Sequence, residues 1–423
     1  MFPEKLPEIR YEGRSREEVG EREDVERIEN LDFLRPQERM DLILTYLEEK
    51  PTSMIEIAYD SKKPFAKLKE VLSKKEELEK ILSATKLAFK ILEKEETDEN
   101  GFDRKVFQLL VGKDEKRVQE LERALVERDD KKMKRLLGYP ETSIKALFEG
   151  RVLDEKMWWE SLSEKEKEDL LQEGVLNFIT FPLSKDYWQE ELKIARQRQA
   201  KIKEKAPKLY LEISKEKPKV AMSEEERKDH EKREIEAYLE GIRKEIERLV
   251  DKLGLPVEEG IKEIVVMLNA FEVRTSASCE GHFQKKGEKV EYFDGEKITE
   301  EVLQEDKVRP PWVDIDSRIS DIENWRRDEA LKEKIRKQNN FFQKRMKNLL
   351  RLFYRERKVP FDQRLHLRPK GIYGAFRLEN QGAKILEKEK KKEKLDQYRQ
   401  EMIEFARFLK EIFPEFFYRR LEI

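Results

Sequence analysis

One cysteine and three histidines occur in 423 residues. The cysteine and one histidine, Cys279 and His282, share the stretch RTSASCEGH (274–282). A thiol this close to an imidazole can do three kinds of chemistry. Cys279 can act as a nucleophile, its thiolate favoured by a protonated His282. The two can be ligands of a metal, but zinc takes three or four protein ligands. The remaining donors for that are Glu280, Asp314, Asp316 and His366. Third, the loop can hold an anion through serine, backbone and imidazole donors. Cys279, His282 and Glu280 are therefore the catalytic candidates. The bland alternative is a buried thiol ending a strand and a histidine closing a turn. The sequence leaves the cofactor unknown, and no metal-ligand set is assigned. A metal-dependent hydrolase built on His282, His366 and Asp314 is kept as an alternative.

A second set of residues could hold phosphate. From Lys332 to Lys370 the chain carries 14 Lys or Arg against 3 acidic residues, a net +11 in a protein whose formal charge is −2. Leu331, Ile335, Phe342, Met346, Leu349 and Phe353 keep helical spacing, which leaves Lys334, Arg336, Lys337, Lys344, Lys347, Arg351 and Arg355 mostly around the other faces. Read as a strand, RLHLR puts Arg364, His366 and Arg368 on one side. Arginine suits phosphate because its planar fork makes two hydrogen bonds. Lys344, Arg351, Arg364, His366 and Arg368 are the nucleic-acid candidates, with RNA the expected target.

Several elements must position these groups. Alternation over 273–279 predicts a strand with Thr275, Ala277 and Cys279 facing one way and Ser276 and Ser278 the other. Gly281 permits a backbone turn that a Cβ would forbid; with Ser278 it is expected to shape the loop. Further strands are expected over 311–315, 363–368 and 372–378, with Trp312, Asp314 and Asp316 on one face. The polar insert 283–310 reads as a long hairpin or a flap. Apolar residues at 4-3-4-3-4 spacing, Ile235, Leu239, Ile242, Ile246, Leu249 and Leu253, predict a helix that Gly254-Leu255-Pro256 breaks. Val257, Ile261, Val265 and Leu268 mark the next helix. Leu395, Tyr398, Met402, Phe405, Leu409 and Ile412 mark the last one.

Upstream, residues 1–30 read as a flexible charged arm, and 31–200 as a helical region. That region has helices around 35–50 and from Phe65 to Leu82, then a β-ribbon (87–111) turning at Asn100-Gly101, an arrangement compatible with a winged helix. An aromatic-rich segment follows, with Trp158, Trp159, Phe178, Phe181, Tyr187 and Trp188. LLGYPETSIKALFEG (136–150) reads as a glycine helix end and a proline start. Residues 201–231, holding His230, read as a linker, and 232–423 as the C-terminal α+β domain.

Composition bounds the rest. Charged residues make up 43%, far above the roughly 25% of ordinary globular chains. Acidic and basic groups nearly cancel, so folded domains with exposed helix faces fit better than disorder. One cysteine excludes an internal disulfide and every Cys-rich zinc motif. The opening MFPEKLPEIR has no apolar core of a secretory signal, and no window approaches the ~18 apolar residues of a membrane span. A cytoplasmic protein without membrane contact is expected. No Walker loop, GxGxxG, HExxH or GxSxG is present, which leaves little support for nucleotide hydrolysis, Rossmann cofactors or serine-hydrolase chemistry.

RTSASCEGH, followed after the insert by PPWVDI, resembles a recurring SCEGH…P-aromatic-V pattern of uncharacterised prokaryotic and phage proteins. The LGYPE segment is similar to one in uncharacterised prokaryotic proteins. The strand also resembles, faintly, the TSSCSGR strand of the tRNA wybutosine-synthesising methyltransferase family. Glu280 and His282 stand where that family has Ser and Arg.

The expected fold is α+β: a largely helical protein of two or three domains, whose C-terminal domain is a small sheet flanked by long amphipathic helices. The expected function is nucleic-acid binding by the basic stretch beside an SCEGH pocket. The alternative is a non-enzymatic regulator that meets a protein partner through its N-terminal region.

Overall fold

The computed structural model describes residues 16–63, 67–215, 217–249, 256–293, 298–317, 328–370 and 373–418. Residues 1–15, Phe65, Leu253, Gly254, Leu255 and Ile372, assigned to elements or breaks above, lie outside them. Helix makes up 57% and strand 17%, the strands in small antiparallel sheets, so the class is α+β. The chain divides into two compact units. The first holds residues 1–58, 68–94 and 105–227; the second holds 59–67, 95–104 and 228–423.

The elements of the first unit, apart from residues 59–60, 95–97 and 103–104 of its strands, which fall in the second, are α1 (Arg16–Glu29), α2 (Pro36–Tyr46), β1 (Thr52–Asp60), α3 (Leu68–Ala84), β2 (Ala88–Thr97), β3 (Asp103–Gly112), α4 (Glu115–Val126), α5 (Asp130–Leu136), α6 (Glu141–Phe148), α7 (Glu155–Ser161), α8 (Glu164–Glu173), α9 (Trp188–Lys205) and α10 (Pro207–Ser214). The strands form a sheet of order β1-β3-β2. Phe107, Leu109 and Val111 alternate into its core with Ile55 and Ile57.

Three expectations change here. The charged arm is helical over α1, because Val25 and Ile28, one turn apart, are buried. The expected pair of helices before the ribbon has a strand between them: TSMIEIAYD forms β1. The linker is mostly helix, with Ile202, Ala206, Leu209 and Ile213 buried. Pro207 does not break the chain there. It starts α10, where its missing N–H costs nothing.

The aromatic segment is a core. Trp158 meets Trp188 edge-on at 5.4 Å between ring centres, and Phe181 packs with them. The LGYPE segment is structural. Gly138 sits at φ +75°, its carbonyl accepts from Arg198 at 2.7 Å, and buried Glu191 accepts from Thr142 and Ser143.

The second unit adds α11 (Glu224–Glu247, of which 224–227 fall in the first unit), α12 (Glu259–Ala270), β4 (Thr275–Cys279), β5 (His282–Gln284), β6 (Lys289–Phe293), β7 (Ile298–Val302), β8 (Lys307–Arg309), β9 (Trp312–Ile315), α13 (Glu329–Phe353), β10 (Leu365–Pro369), β11 (Phe376–Asn380), α14 (Gly382–Ile385), α15 (Lys388–Glu393) and α16 (Leu395–Phe417). His230 lies on α11, 3.5 Å from Glu234. The four-stranded sheet has the order β10-β11-β9-β4. Val313, Ile315, Leu365, Phe376 and Leu378 form its apolar face. Apolar stripes of α11, α12, α13 and α16 pack with them in one core. Each such side chain, fully buried, contributes roughly 1.5–3 kcal/mol. The insert is a hairpin in two steps, β5 with β8 and then β6 with β7. The ribbon turn is anchored here too: Gln338 donates to the Gly101 carbonyl at 2.6 Å, and Phe102 packs on Phe341 and Phe342.

Candidate functional site

The RTSASCEGH stretch is held by the start of α12. The first N–H groups of a helix lack intrahelical partners. One of them, on Gly260, donates to the Glu280 carboxylate at 2.8 Å. A carboxylate is also the charge that a helix N-terminus favours. Glu258, the residue before α12, reaches the other way: Oε2 accepts the Glu280 N–H at 2.6 Å, and Oε1 lies 2.6 Å from His282 Nε2. Arg399 on α16 donates to the Glu280 and Gly281 carbonyls. Glu280, expected among the catalytic groups, instead ties the loop to the helix. A Cβ on Gly260 would meet Glu280 Oε2 at 2.5 Å, so a larger residue there would push the Glu280 carboxylate from its place.

The strict alternation expected of the strand does not hold. Thr275 pairs with Ile315 and Ala277 with Asp314, so Ser276 is an extra, bulged residue. Past the bulge, Ala277 and Cys279 share the face of Asp314 and Trp312. Ser278 pairs with Val313. Gly281 turns the chain at φ +91°. A Cβ there would lie 2.8 Å from the Pro311 nitrogen and 3.0 Å from the Arg309 carbonyl oxygen. Gly281→Ala is therefore expected to cost about 2–4 kcal/mol, combining left-handed strain with backbone overlap. Chemical denaturation of the full chain measures it; a loss under about 1 kcal/mol would contradict this account of the turn.

Cys279 is buried, at 7% exposure. Burial pushes its thiol pKa above the ordinary value, and the carboxylates of Glu258 and Glu280 push the same way. The Gly281 N–H and Arg309 act against them without reversing the shift. This is the opposite of an activated thiolate, so the structure speaks against Cys279 as a resting nucleophile. Sulfur, the His282 ring and Glu258 nonetheless converge, with one donor atom from each within 4.8 Å of the others. Glu258 lies 21 residues before Cys279 with no motif linking them, so spacing could not reveal it.

The expected hydrolase set does not assemble. Asp314 is taken by Arg377, at 2.6 Å and 3.0 Å, and by Lys370. His366 Nδ1 lies 3.1 Å from the Glu379 carbonyl oxygen. Among the described residues, neither joins His282 in a group of metal donors. Asp316 is buried and lies 3.3 Å from the Asn339 side-chain amide.

The basic stretch splits in two. His366 and Arg368 do share a strand side, with Arg377, Glu379, Trp312 and Asp314 on their cross-strand partners. That side is opposite the apolar face on which α13 packs. It is also largely self-neutralised: Arg368 pairs with Glu379 at 2.8 Å, Arg377 with Asp314, and Arg377 lies 3.7 Å over the Trp312 ring. Arg364 is exposed, donating to the Val359 carbonyl and lying over the Tyr354 ring. Lys344 and Arg351 lie on the outer face of α13. Thus the contiguous run 332–370 supplies two surfaces on opposite sides of the sheet.

On α13 the cations sort sharply. Lys332, Lys334, Arg336 and Arg345 are in ion pairs. Lys337, Lys344, Lys347, Arg351 and, just past the helix, Arg355 are exposed and make no ion pair with any described residue. Lys337, Lys344 and Arg351 are spaced by sevens, which keeps each within about 20° of the next. They span about 21 Å of helix. The buried residues Phe342, Met346 and Leu349 occupy the opposite face.

No family model, curated protein or solved structure matches this chain. No described helix is long and apolar enough to cross a membrane.

Proposed function

We propose that the second unit binds nucleic acid, structured RNA foremost, through the outer face of α13. The observation that supports this reading is the row of exposed cations along one face of α13: five side chains that make no ion pair with any described residue and face away from the core. A straight row of point charges suits a phosphate backbone. It reads charge and spacing, not sequence. His366 and Arg368 are left out of this interface, because both are engaged with Glu379 on the other side of the sheet.

The test is a titration of the full chain with a labelled RNA hairpin and with duplex DNA, at several salt concentrations. Binding at about micromolar affinity in low salt is expected. The logarithm of affinity should fall against that of salt with a slope of about −4, from five neutralised phosphates. Absence of binding to both at low salt would refute the proposal. Equal binding of both would keep the phosphate interface and remove the preference for RNA.

A further inference from the structure

Glu258, Cys279 and His282 bring an oxygen, a sulfur and a nitrogen donor together from three elements: the residue capping α12, the last of β4 and the first of β5. Among the described residues this is the one group of three such donors. Their backbones are tied down around the cluster. Glu258 holds the Glu280 N–H, Glu280 holds the Gly260 N–H, and Arg399 holds two successive carbonyls. A cluster kept this close by its surroundings is preorganised for a common ligand.

We propose that Glu258, Cys279 and His282 bind one divalent ion of the zinc class and leave a fourth coordination position open. The geometry permits it. Bonds of about 2.0–2.3 Å in a tetrahedron set ligand atoms roughly 3.5 Å apart. Glu258 Oε1 and His282 Nε2, now 2.6 Å apart, must separate by about 1 Å. The most distant pair, within 4.8 Å, must close by a similar amount. Side-chain torsions supply shifts of that size. The donor types set the metal class, because thiolate with imidazole selects zinc or cobalt(II), whereas magnesium and calcium take oxygen ligands. Charge balances as well: the metal replaces the thiol proton and the proton shared by Glu258 Oε1 and His282 Nε2, the first leaving to solvent and the second leaving the ring with only Nδ1 protonated, and thiolate plus carboxylate neutralise the ion. Three protein ligands with a vacant fourth position is the pattern of zinc sites that bind water or substrate rather than only brace a fold.

Because the chain has one cysteine, thiolate-to-cobalt charge-transfer absorption can come only from this cluster. Chelator-treated full-length protein is titrated with cobalt(II) alone. The expected result is a near-ultraviolet charge-transfer band that saturates at one cobalt per chain, carries visible absorption of four-coordinate intensity, and is erased by zinc. Cys279→Ser should remove the band. Glu258→Gln, which still accepts the Glu280 N–H, and His282→Asn should each weaken cobalt binding at least about tenfold with unchanged circular dichroism. Should Cys279→Ser fail to fold, zinc-dependent protection of Cys279 from a thiol reagent in the unaltered chain serves in its place. A folded wild-type chain without the band, or a binding midpoint unmoved in both Glu258→Gln and His282→Asn, overturns the proposal.

Discussion

Reversing Lys344, Lys347 and Arg351 to glutamate together is expected to weaken RNA binding at least about a hundredfold at low salt and to flatten the salt slope by roughly 2–3. The three side chains are exposed on the outer face of α13 and form no ion pair there. Their replacement removes attraction and adds repulsion without opening the core. Exposed substitutions of this kind usually change stability by about 0.5 kcal/mol or less, so the variant should melt close to the parent. Arg368→Glu is the informative control. It carries the same change of charge, but Arg368 lies on the sheet side opposite α13 and is paired with Glu379. Binding should stay near the parent value, although stability should fall as two carboxylates are brought together. A loss of binding in Arg368→Glu equal to that of the triple variant would move the interface to the sheet and refute the α13 reading.

Asp314→Ala is expected to be the most damaging single change in the charged sheet side, at about 3–5 kcal/mol. Its carboxylate is buried between Arg377 and Lys370. Removing it leaves the Arg377 guanidinium, itself mostly covered and stacked on Trp312, without its counter-charge. For a unit of this size that corresponds to a fall in melting temperature of about 10 °C. The cost should come from the stranded cation and not from the lost pair as such. Asp314→Ala combined with Arg377→Met is therefore expected to recover a good part of the stability, because an apolar pair of similar volume carries no unpaired charge. A double variant as unstable as the sum of the two single variants would show that the pair acts independently and contradict this account.

The apolar stripes of the second unit's helices could be read largely from the chain, although α11 ends at Glu247, so Leu249, expected on its stripe, lies past it and is exposed. Ile235, Leu239, Ile242 and Ile246, and Tyr398, Met402, Phe405 and Leu409, are buried at the spacing their types suggest. Strands β9 and β10 were legible within two residues, whereas β11 (Phe376–Asn380) coincides only with the end of the run expected over 372–378. A helix of 3.6 residues per turn and a strand of period two are local geometries, written in residues a few positions apart. Where apolar residues were sparse, the reading failed. α1 carries its buried contact on Val25 and Ile28 amid charges, and α10 begins on Pro207 inside the stretch expected to be a linker.

At the site, the sequence by itself determined that Cys279 and His282 would meet on a turn needing Gly281, because those residues are neighbours and the turn is a matter of local backbone sterics. It also determined that 332–370 would be basic. Only the tertiary structure decided the rest. It brought in Glu258 as the third donor, made Glu280 a partner of the α12 N-terminus, placed a bulge at Ser276, and set the α13 cations and the His366-Arg368 strand side on opposite sides of one sheet, with Arg364 outside the strand. It also decided which cations were neutralised, giving Arg368 to Glu379 and Arg377 to Asp314 while leaving Lys344 and Arg351 without an ion pair to any described residue. Each of those outcomes depends on which distant residue arrives within a few ångströms. That is set by strand register and by which helix face the core buries, and residue spacing along the chain carries neither.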